Sequence, residues 1–411
     1  MEAAIDSKSK AISPKLVEWR RHLHQNPELG NREFKTQQYI ANHLKSLGIE
    51  VTLLAKTGVL GVLRGGKPGP VIALRADIDG LPVKERVDVP YKSTVTADYM
   101  GTPVSVMHAC GHDTHTAMLV GAARLLTAHR DQIHGRVVFM FQPGEEGHAG
   151  ARFMLDEGLL DVGPLSDGST SEVTGAFAIH TTSSLPTGFI STRGGPIMAS
   201  SDTLAIRVIG KGGHASEPFR TLDPIPAACE IVQALQSMIT RRINVFNPGV
   251  LTVTQLNAGT TTNVIPEFAE IKGTIRAISE VTRRMIHDGV TRVAEGIAAA
   301  HGLEVSVKLV DGYDVTVNSK TYAQTAGDIA QEIIGAERFI ELPNPVMGAE
   351  DFGYVLNHVP GAMVFLGATP HERNLASAAP NHSNRVFYDE ACMSTGISLY
   401  SAVALRHLST A

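Results

Sequence analysis

The pattern of apolar and polar positions in the first half of the chain predicts strands that alternate with helices. Apolar residues recur at helical spacing within residues 14–47. Residues 71–75 form a continuous apolar run, which is typical of a strand in the middle of a covered sheet. Further strands are predicted at 136–141 and 174–180, with a helix from 113 to about 129 before them. This alternation predicts an α/β fold with a mixed sheet between helices.

From about residue 195 the pattern changes to that of a second, smaller domain. The predicted elements are a strand (203–209), a helix (223–242), two strands (250–257 and 269–276), a helix (280–300) and a strand (303–310). The order β-α-β-β-α-β is that of a ferredoxin-like unit. We therefore predict a satellite domain of residues 195–309 inserted into a catalytic domain of residues 1–194 and 310–411.

Composition excludes several classes of partner. The 411 residues are 43% hydrophobic and 19% charged, with a net charge of −5, as in ordinary globular proteins. This charge, without a basic patch, argues against binding of nucleic acid. Aromatic residues make up only 5%, too few for a platform that stacks bases. No apolar run reaches the ~18–20 residues that span a bilayer, so we expect no membrane partner.

The cysteines predict a reducing compartment. Cys110, Cys229 and Cys392 are odd in number and widely separated, which argues against a disulfide framework. The first residues of the chain lack the basic-then-apolar profile of a signal peptide. A cytoplasmic location is the expectation from both observations.

Two short motifs carry the most specific chemistry. In the first, Cys110 and His112 flank Gly111, whose backbone freedom lets side chains two positions apart converge on one ion. In the second, Glu145 and Glu146 follow the apolar strand at 136–141, so that one carboxylate can ligate a metal while the other serves as a base. A structural zinc site has no use for that second carboxylate, so the pair favours a hydrolytic metal site.

Further ligand-type residues follow other strands. His180 ends the strand predicted at 174–180, and His382 lies in a late loop. Active sites of α/β sheets form outside the carboxyl ends of the strands, so these histidines are expected near Cys110 and His112. A lone histidine among the 17 of this chain is more often a hydrogen-bonded structural residue than a ligand. The cysteine–histidine and glutamate motifs together favour the ligand interpretation for the group.

The motifs resemble those of a known family. Six segments carry the resemblance: 75–82, 108–113, 141–146, 212–216, 262–266 and 380–383. They resemble the metal-dependent amidohydrolases of the aminoacylase/carboxypeptidase family, and most of all the branch of the hippurate hydrolases and indole-3-acetyl-amino acid hydrolases. The resemblance runs from about residue 15 to 405. It implies a di-zinc-exopeptidase-like catalytic domain with a satellite domain that serves as lid and dimerisation module.

The resemblance implies two divalent metal ions in each chain. Cys110 would bridge the ions, His112 and Glu146 would ligate one side, and His180 and His382 would complete the set. Members of the family work with zinc or manganese, and also with cobalt or nickel. A thiolate ligand favours a borderline metal such as zinc.

The resemblance also implies roles for three acidic residues beside the ligands. Glu145 would be the general base that deprotonates the attacking water, and the alternative is a hydrogen-bond acceptor behind the ligands. Asp79 would orient a ligand. Asp77 stands where other branches have a metal-binding histidine, and we do not count it as a ligand. Asp113 is predicted to be the N-cap of the following helix.

Residues of the satellite domain would bind the substrate. By resemblance, His214 would donate a hydrogen bond to the tetrahedral oxyanion. Asn263 and Arg276 would bind the substrate carboxylate, although Arg276 is about as well explained as a surface charge. The resemblance also implies a homodimer formed through this domain.

The predicted function is hydrolysis of the amide bond of N-acyl amino acids, giving a carboxylic acid and a free amino acid. Alternatives within enzymes are a carboxypeptidase or dipeptidase and a deacetylase of an N-acetyl-diamino acid. Outside enzymes, the alternative is a non-catalytic metal-binding module, against which the presence of Glu145 argues.

Overall fold

A computed structural model describes residues 2–164 and 170–409. Its helices, numbered along the chain, are α1 (Glu2–Gln25), α2 (Phe34–Ser46), α3 (His112–Thr127), α4 (Gly150–Asp156), α5 (Pro224–Arg242), α6 (Glu280–Ala300), α7 (Lys320–Ile334), α8 (Gly353–Leu356) and α9 (Cys392–Ser409).

The strands are numbered in the same way. The first ten are β1 (Glu50–Leu54), β2 (Gly58–Arg64), β3 (Lys67–Asp77), β4 (Thr96–Tyr99), β5 (Thr102–Ser105), β6 (His134–Gln142), β7 (Asp161–Pro164), β8 (Thr170–Glu172), β9 (Gly175–Pro186) and β10 (Ile190–Thr192). The others are β11 (Gly195–Met198), β12 (Asp202–Ile209), β13 (Gly213–His214), β14 (Gly249–Ala258), β15 (Val264–Ile265), β16 (Phe268–Ala277), β17 (Glu304–Asp311), β18 (Thr316–Asn318), β19 (Phe339–Glu341) and β20 (Gly361–Thr369).

The chain divides into two compact units. The larger unit consists of Met1–Gly195, Val317–Pro343 and Tyr354–Ala411, and the satellite unit consists of Pro196–Thr316 and Asn344–Gly353. Each unit has its own cluster of buried apolar side chains.

An eight-stranded mixed sheet forms the centre of the larger unit. Its spatial order is β1-β2-β6-β3-β9-β20-β10-β19. Strands β6, β3, β9 and β20 are parallel to one another. The pairs β1–β2, β2–β6 and β10–β20 are antiparallel, and β19 at the edge is parallel to β10. Residues 71–77 of β3 and all of β20 are buried. The continuous apolar run at 71–75 is thus a covered central strand, and the predicted α/β class with a mixed sheet is confirmed.

The register of the parallel strands places three chain segments level with one another. Asp77 at the end of β3 is opposite Gln142 at the end of β6. Arg75 is opposite Ala178 of β9, so His180 stands level with Asp77. Strand β9 does not end at His180, as the sequence predicted, but continues to Pro186 beyond the ends of its neighbours. The residues that follow β3 and β6 therefore meet the side of β9 that carries His180.

The satellite unit contains a four-stranded antiparallel sheet in the order β14-β16-β12-β17. Alternate residues of β12 are buried, namely Leu204, Ile206 and Val208, and they join the apolar core that includes α5 and α6. Both helices begin at capped residues, because the side chains of Asp223 and Ser279 accept hydrogen bonds from backbone N–H groups of the first turns. The predicted ferredoxin-like β-α-β-β-α-β order is confirmed.

The bounds of the satellite unit differ from those predicted. Strand β17 continues to Asp311, and the unit includes 310–316 and 344–353, which the sequence pattern had assigned to the catalytic domain. The second of these segments belongs to it because Val346 bridges to Met198, and its N–H donates to the carbonyl of Ile197 at 2.8 Å. Such a pairing between distant segments leaves no local mark in the sequence.

Two further observations concern the cysteines and the helices. Cys110, Cys229 and Cys392 are all free thiols. Within residues 2–164 and 170–409, the helices fall short of the combined length and apolarity that crossing a membrane requires.

Candidate metal centre

The turn between Cys110 and His112 directs both side chains to one place. Gly111 has φ 88°, a left-handed conformation that other L-residues rarely adopt, and it is the N-cap of α3. A Cβ at this position would also lie 3.2 Å from the ring of Tyr388. The glycine therefore permits the extended-to-helical change that turns the thiol and the imidazole toward the same space.

Cys110 lies at the centre of a cluster of metal-ligand atoms. Its Sγ is 3.6 Å from Nε2 of His180 and 3.2 Å from Nε2 of His382. Nε2 of His382 is in turn 3.1 Å from Oε1 of Glu146. Atoms that share one ion at about 2.0–2.3 Å are separated by distances of this size.

The cluster consists of two groups that share the cysteine. Ligand atoms of Cys110, His112 and His180 lie within 4.8 Å of one another, and so do those of Cys110, Glu146 and His382. All five ligands predicted from the sequence are thus brought together. Ligand atoms of His112 and Glu146 also lie within 4.8 Å of each other, so the predicted division of the ligands between the two ions stays a prediction.

The buried imidazoles are oriented as metal ligands require. Nδ1 of His112 lies 3.0 Å from both Oδ1 and the carbonyl oxygen of Asp79, and Nδ1 of His180 lies 2.8 Å from the carbonyl oxygen of Thr181. Because both acceptors lack a proton, Nδ1 donates in each ring, and Nε2 carries the lone pair whenever the ring is neutral. Nε2 of His112 is buried and has no hydrogen-bond partner among the described residues. A buried lone pair of this kind fits a metal ion.

Asp79 holds two parts of the centre at once. Besides His112, it accepts a hydrogen bond at Oδ2 from the backbone N–H of Glu146, at 3.0 Å. One buried carboxylate thus links the turn after β3, the start of α3 and the turn after β6. An orienting residue makes contacts of this kind, and Asp79 is not a member of the two ligand groups built around Cys110.

The protonation of the cluster reflects its negative charge. Hydrogen bonds to Cys110 and Glu146 raise the pKa of His382 to about 10. The pKa of His112 is also well above its ordinary value, because Asp77 and Cys110 outweigh the burial that lowers it. Anionic groups that attract protons so strongly also attract cations, so an ion that binds here must displace protons.

Asp77 and His115 lie beside the cluster but are already paired. Oδ1 of Asp77 is 2.5 Å from Nδ1 of His115, and its Oδ2 is 2.9 Å from Nη1 of Arg75. Nε2 of His115 accepts a hydrogen bond from the backbone N–H of Thr181 at 2.7 Å. Burial opposes ionisation of Asp77, yet Arg75 and the two histidines hold its pKa well below the ordinary value. These pairings agree with leaving Asp77 out of the ligand set.

Glu145 lies next to the ligand groups. It is buried in the turn that follows β6. One of its carboxylate oxygens, the ligand atom of Glu146 and a ring nitrogen of His112 all lie within 4.8 Å of one another. A carboxylate at this distance can take a proton from a water molecule held between it and the ions.

A buried ion-pair network between α1, Glu85 and the start of α3 was not predicted from the sequence. Oδ2 of Asp113 lies 2.7 Å from Nε of Arg20 and 2.8 Å from Nδ1 of His24, and Nε2 of His24 lies 3.1 Å from Glu85. Arg20, His24, Glu85 and Asp113 are all buried. Burial by itself would raise the pKa of Asp113. The nearby Arg20 and His24 lower it by more, so the pKa lies well below its ordinary value.

The prediction that Asp113 caps α3 is therefore wrong. The helix begins at His112, its N-cap is Gly111, and no side chain caps it. The carboxylate of Asp113 instead pairs with α1. A local signal existed, since Arg20 and His24 stand four positions apart on one face of α1. Their partner, which is 89 positions from His24, leaves no such signal.

In the satellite unit, His214 and Asn263 are brought together. Strands β13 and β15 pair His214 with Val264, and the N–H of Ala215 donates to the carbonyl of Asn263 at 3.1 Å. The N–H of Ser216 donates to Nδ1 of His214 at 3.1 Å. Nδ1 therefore carries no proton, and the exposed imidazole has its N–H on Nε2.

Arg276 lies elsewhere in the satellite unit. Strand β16 begins at Phe268, beside the end of β12, and Arg276 is eight residues further along, opposite Val250. At ~3.3 Å per residue, this places it about 26 Å from the start of the strand. Burial lowers the pKa of Arg276, and Nη1 donates to the carbonyl of Ile275 at 2.9 Å. The fold of the satellite unit thus separates Arg276 from Asn263.

Comparison with known proteins identifies close relatives of the whole chain. Residues 73–406 match the model of peptidase family M20/M25/M40. Thermostable carboxypeptidase 2 of Saccharolobus solfataricus is 38% identical over 97% of this chain and 96% of its own length. N-acetylcysteine deacetylase of Bacillus subtilis is 39% identical over 88% of this chain and 90% of its own.

A solved structure extends this similarity to the fold. The YXEP protein of Bacillus subtilis, described as a dinuclear metal-binding peptidase of family M20, has a TM-score of 0.81 and 34% identity to this chain. The comparison covers 98% of this chain and 100% of that one. The similarity therefore includes every segment that contributes to the candidate centre.

Proposed function

The chain belongs to peptidase family M20/M25/M40, and from that membership we propose that it is a metal-dependent hydrolase of N-acyl amino acids. It cleaves the linear amide bond and releases a carboxylic acid and a free amino acid. The observation that carries this proposal is the pair of ligand groups that share Cys110, with Glu145 directly beside them. One relative is named for deacetylation of N-acetylcysteine, which is an N-acyl amino acid.

The five ligands would hold two divalent ions, since they form one group of Cys110, His112 and His180 and a second group of Cys110, Glu146 and His382. When bound, such ions lower the pKa of water and polarise the scissile carbonyl. Thiolate and imidazole ligands favour zinc, with manganese as the next candidate and cobalt or nickel as possible substitutes.

The protein's own groups supply the proton transfers and the positioning. Glu145 takes a proton from the attacking water and delivers it to the leaving amine, which leaves as the free amino acid. Asp79 keeps Nδ1 of His112 protonated and holds the backbone of Glu146, so that both ligands keep their orientation. Asn263 and Arg276 bind the substrate carboxylate.

His214 is the proposed donor to the oxyanion, since its Nε2 carries the N–H. Replacement by alanine is expected to lower kcat by about 10²-fold with little change in KM, because the donor acts on charge that develops in the transition state. The matched control is His301→Ala, which removes an imidazole paired with Glu230 in the same unit. Steady-state kinetics in which both variants behave alike would remove His214 from the mechanism.

An exopeptidase is the second candidate. The relative named thermostable carboxypeptidase 2 favours it. Both chemistries attack the same type of carbonyl, and they differ in the group that flanks this carbonyl. Deacetylation of an N-acetyl-diamino acid is a narrower form of the main proposal. A metal-binding module without catalysis has no need of Glu145 beside its ions.

We place the protein in the cytoplasm as a homodimer. Three free thiols support the compartment. The outer strands β14 and β17 of the satellite sheet support the dimer, because each offers unpaired backbone groups to a second copy. Sedimentation velocity tests the assembly, and a monomer at micromolar concentration would contradict it.

The test of the function is release of free amino acid by metal-stripped protein reloaded with Mn²⁺, Zn²⁺ or Co²⁺. Substrates are acetyl-, benzoyl- and indole-acetyl-amino acids together with dipeptides. Metal-dependent release from an acyl series is the expected result. Release from dipeptides alone moves the protein to the exopeptidases, and inactivity with two ions bound to each chain indicates a binding module.

A further inference from the structure

The turn after β6, which contains Glu145, is held on both sides of this residue. The backbone N–H of Gly144 donates to Oε1 of Glu33 at 2.8 Å, and the backbone N–H of Glu146 donates to Oδ2 of Asp79 at 3.0 Å. These carboxylates are 111 and 67 positions away from the groups they hold. Glu145 thus lies between two residues whose N–H groups are each fixed by a carboxylate of a distant segment.

We propose that Glu33 is a positioning residue for the general base Glu145. It acts through the backbone, because it fixes the chain on the N-terminal side of Glu145 as Asp79 fixes it on the C-terminal side. The inference rests on the proposed function, and it adds a residue that contributes to the same reaction from outside the ligand set.

Glu33 directly precedes α2, but its side chain does not cap this helix. Two N–H groups of the first turn, those of Lys35 and Thr36, each donate to the carboxylate of Glu28 at 2.9 Å. The side chain of Glu33 turns inward instead, and its Oε2 accepts a hydrogen bond from the hydroxyl of Thr57 at 2.6 Å. Because Glu28 already serves the start of α2, the stability of this helix does not explain the carboxylate of Glu33.

The burial of Glu33 destabilises its charged form. Glu33 and Thr57 are both fully buried. Burial and the nearby Asp79 raise the pKa of Glu33 to about 7. Neutral donors such as a hydroxyl and an N–H compensate only part of the hydration that a carboxylate loses on burial. A buried carboxylate of this kind indicates a functional demand, which here is the fixed backbone beside Glu145.

Gly144 needs such a restraint. It has φ 56°, and a Cβ there would lie 3.0 Å from both Oδ1 of Asn31 and Cβ of His148, so glycine is required at this position. Glycine has the greatest backbone freedom of all residues, so other groups must fix its orientation. Its carbonyl accepts a hydrogen bond from the N–H of Gly150 only at 3.3 Å. The shorter bond to Glu33 is therefore the stronger of these two restraints.

The placement of Glu145 is expected to affect kcat more than KM. A general base must have its oxygen about 2.6–3.2 Å from the proton donor, either directly or through one water molecule. A displacement of about 1 Å can cost about 10²-fold in rate. In the proposed mechanism Glu145 acts on water, whereas other residues bind the substrate, so a displaced base lowers kcat and leaves KM nearly unchanged.

The test is the kcat of Glu33→Met on the best acyl amino acid, measured with the metal-loaded enzyme. Methionine has a similar size but cannot accept the hydrogen bond of Gly144, so we expect kcat to fall about 10–100-fold, with KM and metal content at wild-type values. Glu33→Gln should stay within about threefold of wild type, because its amide oxygen can accept from Gly144 while its NH₂ group donates to Thr57. The matched control is Glu28→Met, which removes a carboxylate that holds backbone N–H groups of the same segment and should leave kcat unchanged.

Two further measurements separate positioning from a general structural effect. In a Glu145→Gln background the base is already absent, so Glu33→Met should lower kcat by less than about twofold more. Hydrogen exchange of the peptide that contains Gly144, followed by mass spectrometry on metal-free protein, gives a readout without turnover. Exchange should be faster in Glu33→Met and equal to wild type in Glu33→Gln and Glu28→Met. If Glu33→Met does not fold, Glu33→Asp replaces it, since its carboxylate is withdrawn from Gly144 by one methylene.

Several results would overturn the inference. Losses that add in the double variant would show that Glu33 does not act through Glu145. Equal kcat values, or equal exchange near Gly144, for Glu33→Met and Glu28→Met would also contradict it. Loss of metal from Glu33→Met would show that Glu33 acts on the ligands and not on the base. If the wild type cleaves no acyl amino acid or dipeptide, the proposed function fails, and the exchange rates still decide whether Glu33 holds the turn.

Discussion

Replacement of Glu145 by glutamine is expected to lower kcat by about 10³-fold while the metal content stays at the wild-type value. The amide has the shape of the carboxylate but cannot take a proton from water. Glu145 lies within 4.8 Å of the ligand atoms of His112 and Glu146, close enough to act on a water molecule at the ions. The measurement is kcat on the best acyl amino acid, together with elemental analysis of the bound metal.

The control for this variant is Glu295→Gln, which changes an exposed glutamate of α6. It should retain wild-type kcat and metal content. If Glu145→Gln keeps more than a tenth of the wild-type kcat, the general base is another residue. If it loses one ion of the pair, Glu145 is a ligand and the two ligand groups must be redrawn.

Replacement of Arg20 by methionine is expected to reduce the stability of the protein by about 3–5 kcal/mol. Arg20 and Asp113 are both buried, and their ion pair of 2.7 Å neutralises a carboxylate at the start of the helix that carries His112. Without the guanidinium, Asp113 keeps only His24 as a cationic partner. Trp19 is the single tryptophan and is adjacent in α1, so its fluorescence reports urea unfolding of this helix directly.

The neighbouring residue supplies a matched control. Arg21 also forms an ion pair, with Glu390 at 2.7 Å, but its side chain is 43% exposed. Pairs of this kind contribute about 0–1 kcal/mol, so Arg21→Met should shift the urea midpoint only slightly. Equal midpoints for Arg20→Met and Arg21→Met would show that the buried pair does not stabilise the start of α3.

Most of the fold could be predicted from sequence because its elements are marked by local periodicity. The apolar run at 71–75 and the β-α-β-β-α-β order of the satellite each reflect burial of one face or of a whole strand. Segment 344–353 was assigned wrongly because Val346 joins the satellite through a bridge to Met198, far away in sequence. Periodicity records which face of an element is buried, but not the element that covers it.

The candidate site was predictable to a similar extent. The Cys-Gly-His turn and the glutamate pair identify four residues through spacing alone, since each motif acts over a few positions. The role of Asp113 was assigned wrongly, because N-cap composition and a buried ion pair look the same in sequence. The separation of Arg276 from Asn263 follows from the length and register of β16, which a list of motif residues does not contain.

The sequence by itself determined the residue types of the centre, the turn at Gly111 and the class of the fold. Only the tertiary structure decided which ligand-type side chains lie within reach of one another and which ring nitrogens face hydrogen-bond acceptors. Cys110 is 70 positions from His180 and 272 from His382. Over such separations, sheet register and the packing of helices bring atoms within 4 Å of one another, and these are properties of the whole folded chain.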